Sequence, residues 1–338
     1  MKKCLYLLVW LILGAPVSGA LAAESTAVEP ANASTFYVKG RHLYDPCGEQ
    51  VVLMGPNKMV YWTDRTGLSS FTEIAKTGAN TVRIAWTIQG SAEELSTVLV
   101  NAYQQQLIPI IELHDATGDW SKLSTLVDYW TRPDIAAVLV EHQRYTLVNI
   151  GNEVGDKVTP EEFLEGYTQA ITRMREAGYR MPLMIDGTEW GKNIDILRSQ
   201  GPALIEADPL RNLLFSVHMW WPDMWGYNRQ RIREEIELAV AQDLPLVIGE
   251  FGNRWDDSEG GAIAWRTIVI TALEYKIGFL PWSWGPGNQP QRHLDMTTDG
   301  TYEGLTGWGR ELMLDAPFAI SKHAVRPQLM QKGECKAP

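Results

Sequence analysis

The chain has 338 residues, of which 45% are hydrophobic, and a formal net charge of −11 at pH 7, which allows one large domain or two small ones with a sizeable core. Such an acidic surface repels phosphate backbones, so no nucleic-acid partner is expected, and neutral small molecules or polymers remain. Removing the first 22 residues sharpens the imbalance, because they carry Lys2 and Lys3 and no acid, leaving 28 basic against 41 acidic residues, or −13.

That removal is itself expected. Lys2 and Lys3 form a basic start, "LYLLVWLIL" is an apolar centre, and "ALA" ending at Ala22 suits cleavage, so residues 1–22 read as a signal peptide. Residues 23–35 are small and polar and read as a flexible leader. The apolar run is short for a membrane span and no later segment replaces it, so a secreted or periplasmic protein is expected. Cys4 leaves with the signal, and Cys47 and Cys335 remain. An oxidising compartment allows a disulfide between them, with two free thiols as the alternative.

Residues 36–338 read as a single domain. "FYVKGRHLYDPCGEQVVLMG" alternates around turn signals at Lys39-Gly40 and Asp45-Pro46-Cys47-Gly48, which predicts a short hairpin entering a buried strand. Strand candidates follow in chain order: "VVLMG" at 51, "NTVRIAW" at 80, "IPIIELHD" at 108, "TLVNIGNE" at 146, "PLMIDG" at 182, "LLFSVHMW" at 213, "PLVIGEFG" at 245 and "GFLPWSW" at 278. Their spacing of roughly 25 to 40 residues leaves room for one crossover helix each. Between the fourth and fifth, Thr159 and Glu162 form a capping box, Pro160 opens the helix, and Phe163, Tyr167, Ala170, Ile171 and Met174 share a face before Gly178. Eight such units with doubly buried strands predict an α/β chain folded as a (β/α)8 TIM barrel with a short N-terminal β-hairpin. A doubly wound open sheet is the rival, but "GPNKMVYW" after the first strand carries no dinucleotide or phosphate-loop signature.

In a barrel, the strand C-termini form the active face. There lie Arg83, Glu112, His114, Asp115, Asn152, Glu153, His218, Glu250, Trp282 and Trp284. Each has a structural explanation by itself: an ion pair for Arg83, core burial for the histidines, helix capping for the glutamates, core filling for the tryptophans. Those explanations would all have to hold at once on one rim. Two glutamates ending buried strands point instead to glycoside hydrolysis, in which one carboxyl protonates the leaving oxygen and the other attacks the anomeric carbon. Asn152 suits the sugar 2-hydroxyl, and Arg83 suits holding one glutamate ionised. Tryptophans crowd the same loops, at 62, 86, 120, 190, 220, 221, 225, 255, 282 and 284, and flat rings match the C–H faces of pyranoses.

"NTVRIAW", "LHDATGD", "NIGNE", "FSVHMW", "VIGEFG" and "PWSW", in that order, resemble glycoside hydrolase family 5, and "AKTGANTVRI" and "ELHDATG" are most similar to its bacterial endo-β-1,4-mannanases. The resemblance runs from about Phe36 to Leu314. It implies a retaining mechanism with Glu153 as acid/base and Glu250 as nucleophile. It also implies substrate contacts from Arg83, His114, Asn152, His218, Trp220, Trp282 and Trp284, with no metal and no cofactor. The implied partner is a polysaccharide (mannan, glucomannan or a related β-glycan), bound by a monomer. Two positions depart from the family: Trp220 stands where a tyrosine usually hydrogen-bonds the nucleophile, and Lys58 replaces a histidine after the first strand. Three alternatives remain: a cellulase-like enzyme acting on β-1,4-glucan, a carbohydrate-binding relative with weakened catalysis, and a metal-dependent hydrolase using His114, Asp115 and His218.

Overall fold

The computed structural model describes residues 34–256 and 261–335, together with Met1. The expected signal peptide beyond Met1 and the leader up to residue 33 lie outside the described residues. The first elements are β1 (Tyr37–Lys39), β2 (His42–Tyr44) and β3 (Gln50–Val51), an antiparallel sheet of three strands. A second sheet holds eight parallel strands in chain order: β4 (Asn57–Lys58), β5 (Thr81–Trp86), β6 (Ile108–Leu113), β7 (Leu147–Asn149), β8 (Leu183–Asp186), β9 (Leu213–His218), β10 (Leu246–Glu250) and β11 (Gly278–Phe279). Every residue of these eight strands is buried, which is why β5 to β11 read as largely apolar runs rather than as alternations.

The last strand returns to the first. Met54 bridges Phe279 in parallel, the Asn57 N–H donates to the Pro281 carbonyl at 2.9 Å, and the Trp284 N–H donates to Asn57 at 2.9 Å. With helices between the strands, this is the expected (β/α)8 barrel. The first strand differs from expectation. Val51 completes the small sheet, and barrel pairing resumes only at Met54 and Asn57. Pro56 has no N–H for a ladder, and Gly55 lies so close to β5 that an added Cβ would sit 1.8 Å from the Thr81 carbonyl oxygen.

The helix Pro160–Glu176 carries the expected capping box in both directions, with its five apolar positions buried. At the N-terminal end of the barrel, Phe36, Leu43 and Val51 of the small sheet pack with Ile108, Leu147, Met184 and Leu214 from the strand starts and with Leu329 and Met330 near the C-terminus. Cys47 and Cys335 are joined by a disulfide there, with Cα atoms 5.2 Å apart across 288 residues of chain. Among the described residues, no helix is long and apolar enough to cross a membrane.

Candidate active site

Arg83, in the middle of β5, is fully buried, so each of its five N–H groups needs a partner. Nε donates to Asn149 at 3.0 Å, Nη1 to Asn57 at 2.9 Å and Glu250 at 2.8 Å, and Nη2 to Asn152 at 2.9 Å and Asp186 at 3.4 Å. The guanidinium thus ties the C-terminal ends of β4, β7, β8 and β10 to one point.

Glu250 ends β10. Its Oε1 accepts from Arg83, and its Oε2 accepts the Trp220 indole N–H at 3.1 Å. Glu153 follows β7 with φ of 50°, in the left-handed region. Its backbone N–H donates to Asp186 at 3.0 Å, and its Oε1 accepts from His218 Nδ1 at 2.8 Å. An oxygen of Glu153, a nitrogen of His218 and an oxygen of Glu250 all lie within 4.8 Å of one another.

The two glutamates have different surroundings. Burial raises the Glu153 carboxyl above its usual range, with the Glu250 charge adding to the effect and His218 opposing it. Burial disfavours a charged His218. The carboxylates of Glu250 and Asp186, together with its hydrogen bonds, outweigh this and push the imidazole up to about 10. Burial opposes the Asp186 charge too, but His218 and Arg83 hold its carboxyl well below the usual range. Glu153, His218 and Glu250 also have the spacing of metal ligands.

His114 follows β6. Its Nδ1 lies 2.9 Å from Glu112, and its ring stacks near Trp282 at 5.6 Å between centroids. Burial opposes its charge, while Glu112 raises its pKa overall. Asn152 donates to Thr117 at 2.9 Å, which fixes its amide as it accepts from Arg83. Trp282 follows β11 and donates its indole N–H to Asn288 at 2.7 Å. Above these groups opens a cleft of about 590 Å3, whose aromatic walls are Trp190, Trp220, Trp225, Trp255 and Trp282.

His114, Asn152, Glu153, Trp220, Glu250 and Trp282 line this cleft, with Arg83 and His218 buried among their hydrogen-bond partners. Trp284 is a correction. It is fully buried and donates its N–H to the Gly300 carbonyl at 2.9 Å, so it supports the loop rather than facing a ligand. Asp115 also turns aside, accepting from Thr87 at 2.7 Å and from the Ile88 N–H at 3.0 Å, and does not join His114 and His218. Lys58 is buried, with its ammonium 3.3 Å from the Gly285 carbonyl. Burial lowers its pKa against the pull of Asp64 and Asp295. Sequence reasoning missed Asp186, which touches Arg83 and the Glu153 backbone and lies 3.3 Å from His218. Its signal was available: "LMIDG" is another apolar strand ending on an acid before glycine.

A closed (β/α)8 barrel with paired, unlike carboxyls at its strand C-termini, beneath an aromatic cleft, defines a glycoside hydrolase. The profile described as Cellulase (glycosyl hydrolase family 5) matches residues 44–288, and the chain belongs to this family. It is 33% identical to a mannan endo-1,4-beta-mannosidase of Salipaludibacillus agaradhaerens over 285 residues, covering 82% of this chain and 90% of that protein. It is 31% identical to a mannan endo-1,4-beta-mannosidase of Cellvibrio japonicus over 318 residues, covering 90% and 70%. The crystal structure of a beta-mannanase from Streptomyces thermolilacinus with mannohexaose superposes with a TM-score of 0.80 at 28% identity, covering 89% of this chain and 99% of that one.

Proposed function

We propose that the protein is an exported, monomeric endo-glycosidase that hydrolyses internal β-1,4 bonds of mannan-type polysaccharides with retention of configuration. The observation that carries the mechanism is the approach of Glu153 and Glu250 to within 4.8 Å. Retaining pairs stand about 5 to 5.5 Å apart, whereas inverting pairs need about 6.5 to 9.5 Å to admit a water. Glu250, bonded by Arg83 and Trp220, is the nucleophile that forms the glycosyl-enzyme. Glu153, its pKa raised by burial, first protonates the leaving oxygen and then, as a carboxylate, takes a proton from the water that releases the sugar.

Two named mannan endo-1,4-beta-mannosidases among the relatives support mannan as the substrate. Internal cleavage is supported by the aromatic walls that Trp190, Trp225 and Trp282 give the cleft holding Glu153 and Glu250. The Cys47–Cys335 bridge supports export, because such bonds persist in oxidising compartments.

The test is hydrolysis of mannan, glucomannan, xylan and carboxymethyl cellulose, following new reducing ends, with NMR of the first-formed anomer. Cleavage of mannan and glucomannan giving the β-anomer first is expected. Cleavage of carboxymethyl cellulose alone would establish the glucan-directed reading instead. An α-anomer appearing first would remove the double displacement.

A further inference from the structure

Beyond the catalytic cleft lies a second, smaller pocket of about 250 Å3, and the two share Lys192 and Trp225 as walls. The pocket is polar but not one-sided in charge. Lys192, Asn193 and Arg231 bring donors, and Glu189, Asp195 and Glu235 bring acceptors. The charges near its floor are largely spent on one another: Arg198 pairs with both Asp195 and Glu235, and Arg231 pairs with Glu235. Its apolar side is aromatic, with Trp221 and Tyr227 stacked at 4.7 Å and 16°.

The shared lip is built to hold its position. Glu189, Trp190 and Gly191 have φ of 54°, 54° and 74°, three successive residues in the left-handed region. Side chains rarely adopt that conformation, and where they do the surroundings over-determine it. Here the Glu189 N–H donates to Asp156 at 3.1 Å, the Gly191 carbonyl accepts from the His218 N–H at 2.8 Å, and the Lys192 carbonyl accepts the Trp221 indole N–H at 3.2 Å. A Cβ on Gly191 would sit 2.5 Å from the His218 ring, and one on Gly118 would sit 2.5 Å from the Trp190 indole nitrogen. The turn is therefore registered against His218, which bonds Glu153. It presents Trp190 to the cleft with the Lys192 ammonium 4.9 Å over the ring.

With Asn193 also bonded to Glu189 at 2.9 Å, the charges lining the pocket neutralise one another beside its aromatic side, which suits a neutral, hydroxyl-rich ring rather than a charged group. The volume falls below the roughly 300–1,000 Å3 of pockets that hold drug-sized ligands and is on the scale of one sugar ring. We propose that this pocket is a branch site. It receives a single neutral hexosyl substituent carried by the polysaccharide whose backbone lies in the main cleft, with Lys192 and Trp225 as the lip the branch crosses. The proposal rests on the mannan reading and narrows it to side-branched mannans.

The test compares wild type with Asp195→Trp, which fills the pocket from an exposed helix position, and Tyr227→Ala, which removes one stacked wall. Substrates are linear mannohexaose and a mannan bearing single galactosyl branches, with circular dichroism and thermal melts as folding controls. Loss of pocket contacts is expected to lower kcat/KM on the branched polymer by about tenfold or more in either variant, the scale of a mis-filled specificity pocket, with mannohexaose turnover retained. The digest of branched polymer should also shift toward fragments lacking branches near the cut. Equal losses on both substrates, or no loss on either in a folded variant, would overturn the branch site. Equal losses would identify the pocket as a backbone subsite instead. Failure of the mannan reading is separately visible, because wild type would then cleave neither substrate.

Discussion

At the scale of single residues, the two glutamates differ in what their removal leaves behind. In the proposed double displacement, Glu250→Gln would remove the nucleophile, and turnover should vanish for every substrate. In the same scheme Glu153→Ala would remove only proton transfer, so aryl glycosides with activated leaving groups should still form the glycosyl-enzyme, and azide should restore release. Azide rescue in the Glu250 variant and not in the Glu153 variant would exchange the two roles. Trp220 offers a second contrast. Its N–H donates to Glu250 at 3.1 Å, its ring packs beside Trp255 with centroids 5.3 Å apart, and an added Cβ on Gly252 would meet it at 2.7 Å. Trp220→Phe keeps an aromatic ring and loses the donor. A hydrogen bond to a charged group contributes about 1.5–3 kcal/mol, so kcat/KM should fall about 10- to 150-fold. Trp220→Tyr supplies a hydroxyl and should keep a sizeable fraction of activity. Near-complete loss in a folded Trp220→Tyr variant would mean that the indole acts as a sugar wall and not as a donor to Glu250.

At the scale of elements, the helix Pro160–Glu176 stands on its cap. Thr159 accepts from the Glu162 N–H at 3.2 Å, and Glu162 accepts from the Thr159 N–H at 2.9 Å. Thr159→Ala should cost about 1 kcal/mol of unfolding free energy, read by urea denaturation, without altering kcat, because the cap lies outside the cleft lining. A change in kcat larger than the change in stability would show that this helix start is coupled to the site. This element was legible because capping and 3.6-residue periodicity are local. The buried strands were legible too, because burial on both faces makes them uniformly apolar. The first strand was not: Asn57–Lys58 is two polar residues, held by the barrel and not by their own pattern. Loop tryptophans were only partly legible, since a loop has no period to reveal which way a ring turns. Trp190 and Trp225 face the cleft, whereas Trp86, Trp221 and Trp284 are buried. Of the left-handed turn at Glu189–Gly191, only its glycine hinted at the backbone shape.

At the scale of the whole molecule, two sets of cross-links hold the barrel, one at each end. At the active face, His218 is charged in the fold because it sits among Glu250, Asp186 and Glu153. Its pKa rises from 6.5 to about 10, so its contribution to stability is fully present below 6.5 and is lost as pH climbs toward 10. NMR of its ring should show an imidazolium persisting at pH values where free histidine is neutral, and the denaturation midpoint should fall between neutral and alkaline pH. A ring titrating near 6.5 would remove this account. At the opposite end, Cys47–Cys335 fastens the small sheet to the C-terminal segment across the barrel's closed mouth. A native bridge of this kind typically contributes ~2 to 5 kcal/mol, in part by restricting the unfolded chain. Reduction, or paired Cys47→Ser and Cys335→Ser substitutions, should therefore lower the melting temperature while leaving kcat/KM unchanged at temperatures where the variant is folded. The reason is distance along the architecture. The bridge secures packing around Phe36, Leu43, Leu329 and Met330 at the strand starts, whereas Glu250 ends its strand bonded to Arg83 and Glu153 follows its strand bonded to His218. Loss of activity in a variant that remains folded would mean that the barrel transmits strain from its plug to its rim, and that the two ends are one cooperative unit in function as well as in folding.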